Sequence, residues 1–341
     1  MPSGCPHAAA HSIDIDWRGT VRWSYSGGRV ATRMISKSLS GAMLLALSLI
    51  AAGCDDDDFV VCFGYNYYCQ TFDDDPHLYA VEFADDSFAT VGEDFTIANS
   101  ADGERFQRQN LNCCGSLQAI AFGNGRWFAT GTDGVVYTST DSANWFFQFL
   151  PTSRTMLGAA YGDGTYVLVG DEGRILSSPN AGAWESEDSG TNLTLRDVVF
   201  ADDLFVAVGD GGTILTSLDG ETWSPQASGV GADLRGVGWG AGLFAAVGDS
   251  GTLLTSPDAE VWTPESSGVT GMLQDAGHAL GLFVVVGNNG VLLTSSNGMD
   301  FIPRNPETDR DLEGVSFGDG LFVVVGSGAV IRNSEDGLDW F

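Results

Sequence analysis

The sequence is poor in positive charge. It contains 15 lysines and arginines against 45 aspartates and glutamates, Lys37 is the only lysine, and the formal net charge is −30. A chain this acidic repels nucleic-acid phosphates and anionic lipid headgroups. The composition therefore excludes nucleic acid and a negatively charged membrane surface as general partners.

Histidine and cysteine are also scarce, with four and six residues. After residue 53 only His77 and His278 remain, and no Ser/His/Asp set of a hydrolase emerges from the sequence. The cysteines do not show the CxxC spacing of a zinc or thiol-exchange site, and the acidic runs lack the spacing of an EF-hand loop. The sequence thus predicts neither a metal nor another cofactor.

No apolar run reaches the length of about 20 residues that a membrane-spanning helix needs. A shorter run lies in MISKSLSGAMLLALSLIAAGC, residues 34–54, after a lysine and before small residues and a cysteine. This order is typical of a secretory signal peptide. Residues 51–54 resemble a bacterial lipobox, so residues 34–53 are predicted to be a lipoprotein signal and Cys54 the lipidated first residue of the mature chain. Ordinary cleavage and soluble secretion is the alternative, and residues 1–33 are interpreted as a spurious upstream extension.

The mature chain would begin with a strongly acidic segment. Cleavage before Cys54 removes five basic and two acidic residues, which leaves 10 and 43 and a net charge of −33. Residues 54–66, which begin with CDDDD, are interpreted as a hydrated tether. Four further cysteines predict disulfides in an oxidising compartment, namely Cys62, Cys69, Cys113 and Cys114. A bond between the two adjacent cysteines would strain the peptide, so cross-pairing with the other two remains open.

Glycine is abundant, with 46 residues, and much of it belongs to a repeat. The fragment SLDGETW, Ser217–Trp223, is one of seven related copies, and the first serine of each copy lies 39 residues after that of the previous copy. This spacing predicts a repeated structural unit. Two positions after each serine stands Asp or Asn: Asp102, Asp141, Asn180, Asp219, Asp258, Asn297 and Asp336.

The unit that begins at Leu195 shows the internal pattern most clearly, as LRDVVFADDLFVAVGDGGTILTSLDGETWSPQAS. Three apolar runs and a short run that begins with Trp223 are separated by turns rich in Gly, Asp and Asn. The pattern predicts four antiparallel strands joined by three hairpins, with the Asp or Asn of the third turn accepting hydrogen bonds from its own backbone. Seven such sheets repeated radially form an all-β, seven-bladed β-propeller of four-stranded antiparallel blades, assigned to residues 67–341.

The seventh unit stops at Phe341, before its fourth strand. The units are taken to begin at Leu78, Leu117, Leu157, Leu195, Leu234, Leu273 and Leu312. Tyr67 precedes Leu78 by eleven residues, as the aromatic residue of later units precedes the next leucine. We therefore expect an N-terminal strand from Tyr67 to complete the last blade and close the ring.

The repeated fragment resembles the Asp-box, or BNR, repeat of sialidase-like propellers. The longer stretch VAVGDGGTILTSLDGETW resembles the photosystem II assembly and stability factor propellers in particular. The resemblance covers Leu78–Phe341, and it implies a propeller whose Asp-boxes are structural turns away from the binding face. The FRIP motif of sialidases is absent, since Phe301 begins FIPR instead.

A binding site is expected where equivalent positions of the repeat differ and become polar. The residue after each first leucine varies in this way: Tyr79, Gln118, Gly158, Arg196, Arg235, Gln274 and Glu313. If the first strand of each blade is innermost, these residues surround one mouth of the central channel. Arg196 and Arg235 fall on adjacent blades, where two guanidiniums are predicted to hold a carboxylate or an acidic peptide segment. The photosystem II assembly propellers likewise carry an arginine-rich patch.

The functional hypothesis is a lipid-anchored, monomeric propeller of a bacterial cell envelope, facing the periplasm or the cell surface. It would bind a protein partner at one face as a non-catalytic scaffold, need no cofactor, and touch the membrane only through its N-terminal lipid. The alternative is a glycan-binding or glycoside hydrolase propeller, sialidase-like in class. The 43 acidic residues of the mature chain make accidental carboxylate pairs unavoidable, so the sequence singles out no catalytic pair.

Overall fold

The computed structural model describes residues 75–109 and 115–341, together with the backbone of four short strands nearer the N-terminus. The chain divides into two units, Met1–Asp74 and Asp75–Phe341. The strands of the first unit form two antiparallel pairs, Ser12–Ile15 with Val21–Ser24 and Phe59–Phe63 with Tyr68–Phe72. Within the described residues, no helix is both long and apolar enough to cross a membrane.

The second unit is a seven-bladed β-propeller, as predicted, and consecutive strands within each blade pair antiparallel. Blade 1 contains Leu78–Ala84, Ser87–Gly92, Thr96–Ser100 and Gln107–Gln109. Blade 2 contains Leu117–Gly123, Arg126–Gly131, Val135–Ser139 and Phe146–Phe149. Blade 3 contains Met156–Gly162, Thr165–Gly170, Arg174–Ser178 and Glu185–Glu187. Blade 4 contains Leu195–Ala201, Leu204–Gly209, Thr213–Ser217 and Ser224–Ala227. Blade 5 contains Leu234–Gly240, Leu243–Gly248, Leu253–Ser256 and Thr263–Pro264. Blade 6 contains Leu273–Ala279, Leu282–Gly287, Val291–Ser295 and Ile302–Pro303. Blade 7 contains Leu312–Gly318, Leu321–Gly326 and Ile331–Ser334.

The hydrophobic core lies between neighbouring blades. The second strand of each blade is covered on both faces, which explains why it is a continuous apolar run instead of an alternating one. In blade 4, Phe205, Val206, Ala207 and Val208 have no exposed surface. The first hairpins turn as their sequences predict, since Asn124 and the glycine after it have positive φ angles of 49° and 70°.

The turn between the second and third strands contains a single turn of 3₁₀-helix in five of the blades. These segments are Thr132–Gly134, Asp171–Gly173, Asp210–Gly212, Asp249–Gly251 and Asn288–Gly290. In blade 4 the amide of Asp210 donates to the carbonyl of Thr194, just before the first strand, at 2.9 Å. The turn is thereby tied to the start of the innermost strand of its own blade.

The Asp-box forms the turn between the third and fourth strands. In blade 4, Asp219 Oδ1 accepts hydrogen bonds from the amides of Glu221 and Thr222 at 2.9 and 2.7 Å, and from Ser217 Oγ at 3.0 Å. Trp223 Nε1 donates to the carbonyl of Gly220 at 3.1 Å. The Asp or Asn side chain of every other copy also accepts two amide hydrogen bonds from its own turn.

The third unit begins one residue earlier than the sequence analysis placed it. Met156, and not Leu157, occupies the position of Leu195, because Met156 pairs with Gly170 as Leu195 pairs with Gly209. Met156 is completely buried. A methionine fills the core site of a leucine, and the spacing of 39 residues is kept.

The ring closes through contacts between blades 7 and 1. Val323 and Val325 of blade 7 pack against Leu78 and Phe88 of blade 1. The amide of Ala329 donates to the carbonyl of Pro76 at 2.8 Å, and Asn333 Nδ2 donates to the carbonyl of Gly103 at 3.0 Å.

The predicted closing strand is paired differently in the structure. Tyr68–Phe72 pairs with Phe59–Phe63, whereas the prediction placed it beside Ile331–Ser334. The described part of blade 7 has three strands, and only Phe341 extends along its outer edge, through two backbone hydrogen bonds with Asn333 at 3.0 and 3.1 Å. The physical reason is that an antiparallel hairpin partner only a few residues away in the chain costs little loop entropy. The prediction for Tyr67 itself lies outside the described residues.

Candidate functional site

The first strands of the seven blades surround a central channel of about 330 Å³. Seven of its lining residues, one from each blade, lie at the end that we call the channel mouth: Tyr79, Gln118, Leu157, Arg196, Arg235, Gln274 and Glu313. Leu157 replaces the predicted Gly158, because the unit begins at Met156. The structure therefore brings the six residues predicted for a ligand site, Gly158 excepted, around one opening.

Each mouth arginine is paired with an aspartate of its own blade. Arg196 Nε donates to Asp210 Oδ1 at 2.5 Å, and Arg235 Nε donates to Asp249 Oδ1. The aspartates lie 14 residues later, in the 3₁₀ turn between the second and third strands. The predicted clamp for an external carboxylate thus already holds carboxylates of the chain itself, which offset the charge of both guanidiniums.

The same 14-residue relationship recurs at other mouth positions. Gln274 Nε2 donates to Asn288 Oδ1 at 3.1 Å, and Tyr79 OH donates to Glu93 Oε1 at 3.4 Å. Sequence analysis missed these partners although the repeat contains the signal, since the second turn follows the innermost strand at a constant distance. The mouth is therefore a double ring of side chains from the first strands and the second turns.

A histidine adds to the mouth between blades 7 and 1. His77 Nε2 lies 3.0 Å from Glu313 Oε1, and the His77 ring stacks on Tyr79 with centroids 4.7 Å apart. The hydrogen bond to Glu313 raises the pKa of His77 above its usual value, against the opposing effect of burial. Burial raises the pKa of Tyr79.

Three further carboxyl groups line the channel, and the sequence analysis singled out none of them. They are Glu82, Asp197 and Asp275, on the first strands of blades 1, 4 and 6. Burial, aided by the charge of Asp275, raises the pKa of Glu82 to about 8 and that of Asp197 to about 7. Burial also raises the pKa of Asp275.

The two aspartates join neighbouring blades. Asp197 accepts from its own strand at the amide of Val198 and from blade 5 at the amide of Val237, both at 2.8 Å. Asp275 accepts in the same way from the amides of Ala276 at 2.7 Å and Val315, in blade 7, at 2.9 Å. These carboxylates therefore have a structural role as bridges between innermost strands.

Negative charge predominates around the mouth. The two mouth arginines are outnumbered there by four carboxyl groups, those of Glu93, Glu313, Asp210 and Asp249. The channel below the mouth adds three more carboxyl groups. The arrangement favours positively charged or hydrogen-bonding ligands over anions. Among residues 75–109 and 115–341, no cluster of three or more His, Cys, Asp or Glu side chains is arranged to hold a metal ion.

The Asp-boxes lie at the end of the propeller opposite the mouth. The innermost strand runs from the mouth to the first hairpin, the second strand returns, and the third strand descends again to the Asp-box. The carboxylate of Asp219 has a lowered pKa, because the amide of Thr222 and other turn donors stabilise its charged form. Hydrogen bonds within the turn also lower the pKa of Asp102, Asp141, Asp258 and Asp336.

The predicted lipidation and disulfide residues are only partly described. Cys62 is the backbone partner of Cys69 in the antiparallel pair of short strands. The disulfide pairing stays a prediction. Cys113, Cys114 and Cys54 lie outside the described residues.

No protein-family model matches the sequence, and no curated protein matches it. Solved structures do match the fold. A structure titled YCF48 from Cyanidioschyzon merolae is 17% identical over 75% of this chain and 94% of its own, with a TM-score of 0.61. A structure titled YCF48 bound to D1 peptide is 14% identical over 66% of this chain and 80% of its own, with a TM-score of 0.54. The WD40 β-propeller domain of Doa1 is 13% identical over 77% of this chain and 95% of its own, with a TM-score of 0.62.

The likeness to these structures agrees with the β-propeller fold of the second unit. At these identities it establishes the fold alone. Asp-box membership, sialidase likeness and the lipoprotein signal rest on the sequence.

Proposed function

We propose that the protein is a lipid-anchored, non-catalytic propeller scaffold of a bacterial cell envelope, which binds a protein partner at the channel mouth. The observation that carries the proposal is the divergence of the mouth within an otherwise regular repeat. The Asp-box turns and the buried second strands are nearly the same in every blade, whereas the mouth position holds Tyr, Gln, Leu, Arg or Glu. Because the side chain at this position differs from blade to blade, the mouth has no rotational symmetry and can recognise an asymmetric ligand.

The structural neighbours support a protein partner. One of them is a propeller bound to a peptide, according to its title, and another is a WD40 domain. The charge around the mouth favours a partner segment that is neutral or basic over an acidic one. Anchoring through Cys54 would keep the propeller at a membrane surface, and the excess of acidic residues would hold its body away from anionic lipid.

The test is capture of partners from native envelopes with two matched variants. Leu157→Arg places a bulky cation at the mouth, where the wild-type side chain is partly exposed. Leu218→Arg makes the same change at the Asp-box end, where the leucine is 72% exposed. We expect the first variant to lose partners that the wild type and the second variant retain. Equal capture by both variants would place the interface away from the mouth.

The same material tests the enzymatic alternative. Incubation with sialosides and a panel of polysaccharides should give no turnover. Hydrolysis that disappears when Glu82 is changed to glutamine would contradict the scaffold function, because a carboxyl group with a raised pKa is suited to general acid catalysis.

A further inference from the structure

Glu82 lines the channel, and its carboxyl group has no hydrogen-bond partner among the residues that the structure describes. Its side chain is partly buried and lies against the channel. By contrast, Asp197 and Asp275 use both of their oxygens as acceptors for backbone amides. A carboxyl group that lines a channel and bonds to no described residue can serve as the counter-ion of a bound cation.

The position of Glu82 in the repeat supports this view. The equivalent residues of the other blades are small or apolar: Ala121, Ala160, Val199, Gly238, Gly277 and Ser316. An apolar or small residue therefore satisfies the packing of the strand at this position, and packing does not require a glutamate in blade 1. The side chain adds an ionisable group to the channel at a position where the other blades have none.

We propose that the central channel binds a primary ammonium group, with Glu82 as its counter-ion and the channel mouth as its entrance. The proposal concerns a small cationic group and stands whether or not the partner described above is found. Two sources share this chemistry: a free alkylamine and the lysine side chain of a protein partner.

The geometry suits an alkylammonium group. Glu82 lies three residues along its strand from Tyr79 at the mouth, a rise of about 10 Å. A glutamate side chain and an alkylammonium chain can cover this distance from the two ends. The channel volume of about 330 Å³ holds such a chain together with a few water molecules.

A metal ion fits the channel less well. Asp197 and Asp275 already accept two amide hydrogen bonds each, so they supply negative potential but few free lone pairs. Magnesium and calcium need six or more oxygen ligands at short distances. An ammonium group needs one ion pair and two further acceptors, which water or carbonyl groups can provide.

The charged groups around the entrance do not oppose a cation. Arg196 and Arg235 are each neutralised by an aspartate, and Glu93 and Glu313 add negative charge near Tyr79 and His77. Without a bound cation, burial and the charge of Asp275 raise the pKa of Glu82 to about 8. A bound cation stabilises the carboxylate, so binding should release a proton near neutral pH and tighten as the pH rises.

Calorimetry on the mature wild-type protein tests the proposal, with n-butylammonium as the probe and n-butanol as its neutral counterpart. An alkylammonium group stays charged up to a pKa of about 10. We expect the affinity for n-butylammonium to rise at least tenfold between pH 6.5 and 8.5, and no heat of binding from n-butanol. Heats measured in two buffers of different ionisation enthalpy should show the released proton.

Two substitutions complete the test. Glu82→Gln should weaken n-butylammonium binding at pH 8.5 at least tenfold, whereas Glu260→Gln, at an exposed position, should not change it. A thermal melt confirms that each variant is folded, and the pH dependence of the wild type remains a test if a variant is not. Absence of binding by the wild type at pH 8.5, equal binding by the Glu82 variant, or equal binding of n-butanol would each overturn the proposal.

A blocked lysine peptide, acetyl-Gly-Lys-Gly-amide, distinguishes the two sources. Binding of the peptide more tightly than n-butylammonium supports a partner's lysine as the natural ligand. Preference for n-butylammonium supports a free amine. Either result upholds the ammonium site, provided that Glu82→Gln removes it.

Discussion

Gln226 Nε2 donates a hydrogen bond to Thr216 Oγ1 at 2.9 Å, between the fourth and third strands of blade 4. Residues ten apart at the same two positions are bonded in four other blades: Asn99 with Gln109, Ser177 with Glu187, Thr255 with Glu265, and Thr294 with Arg304. In blade 7 the third-strand member is Asn333, and its buried Oδ1 has no hydrogen-bond partner among the described residues. The outer edge of this blade therefore presents an unused acceptor where other blades bind a fourth-strand side chain.

A short extension of the chain should use this acceptor. Phe341 pairs with Asn333 in the register in which Ser224 pairs with Thr216. Pro-Gln-Ala added after Phe341 would therefore place its glutamine diagonally across from Asn333, as Gln226 lies relative to Thr216. One net hydrogen bond contributes about 1 kcal/mol, which corresponds to roughly 2 to 4 °C in Tm. We expect the extended protein to melt higher than one extended by Pro-Ala-Ala. Equal melting temperatures would show that the edge is already satisfied.

Much of the fold could be predicted because the repeat of 39 residues leaves little freedom. Seven copies with the same turns fix the strand order within a blade, and radial repetition follows. The exceptions are the predicted closing strand, since Tyr68–Phe72 pairs with Phe59–Phe63, and one residue that departs from the pattern. The predicted start of the third unit, Leu157, was one residue too late, because the other units begin with a leucine. Of these two residues only Met156 is buried.

The candidate site was predicted only in outline. The mouth positions follow from the strand order, but their partners require the second turn to be placed in space, as with Arg196 and Asp210. Glu82 looked like one acidic residue among many, since nothing in the sequence shows that it faces an enclosed channel. Long-range geometry decides which carboxyl groups are buried, and the sequence pattern does not contain it.

Replacement of an Asp-box aspartate should affect stability and leave the mouth intact. Asp219→Ala removes the acceptor of two turn amides, for which we expect a loss of about 1 kcal/mol by analogy with helix N-caps. Asp219→Asn should cost less than Asp219→Ala, because Asn180 accepts the same two hydrogen bonds in blade 3 and only the charge is lost. Chemical denaturation measures both effects. Partner capture lost by a folded Asp219→Ala protein would contradict the structural role of the turn.

Acid should weaken the propeller through the same turns. The folded-state pKa of Asp219 is lowered, so its contribution is present above the ordinary aspartate pKa of about 4 and is lost as the pH falls through the folded value. We expect the stability difference between wild type and Asp219→Ala to shrink between pH 5 and pH 2. Denaturation midpoints of the two proteins across this range provide the measurement. A difference independent of pH would show that charge contributes nothing to the turn.

The proposed lipidation would occur at Cys54, which lies outside the described part of the chain. Cys54→Ser should leave the protein without lipid and move it from the membrane fraction to the soluble fraction of the expressing cell. Mass spectrometry of the mature N-terminus and fractionation measure the two effects. A serine variant that retains a lipid-modified N-terminus would exclude Cys54 as the anchor.

Two substitutions that remove channel carboxyl groups should change stability in opposite directions at high pH. The folded-state pKa of Glu82, about 8, lies above its unfolded value, so its favourable contribution is complete below the unfolded pKa and is lost as the pH rises through 8. Glu82→Gln does not titrate and should raise Tm at pH 9 by roughly 4 to 8 °C, for an effect on the order of 2 kcal/mol.

Asp197→Asn also removes a channel charge, but it should lower Tm. The aspartate accepts from the amides of Val198 and Val237 with its two oxygens, whereas asparagine has one acceptor oxygen and would turn an N–H group toward an N–H group. An unsatisfied buried donor costs about 1 to 3 kcal/mol, so a fall of at least roughly 2 °C is expected. Thermal melts of both variants beside the wild type at pH 9 decide the matter. If Asp197→Asn melts as high as Glu82→Gln, charge removal alone governs the channel, and the bridges between blades contribute no measurable stability.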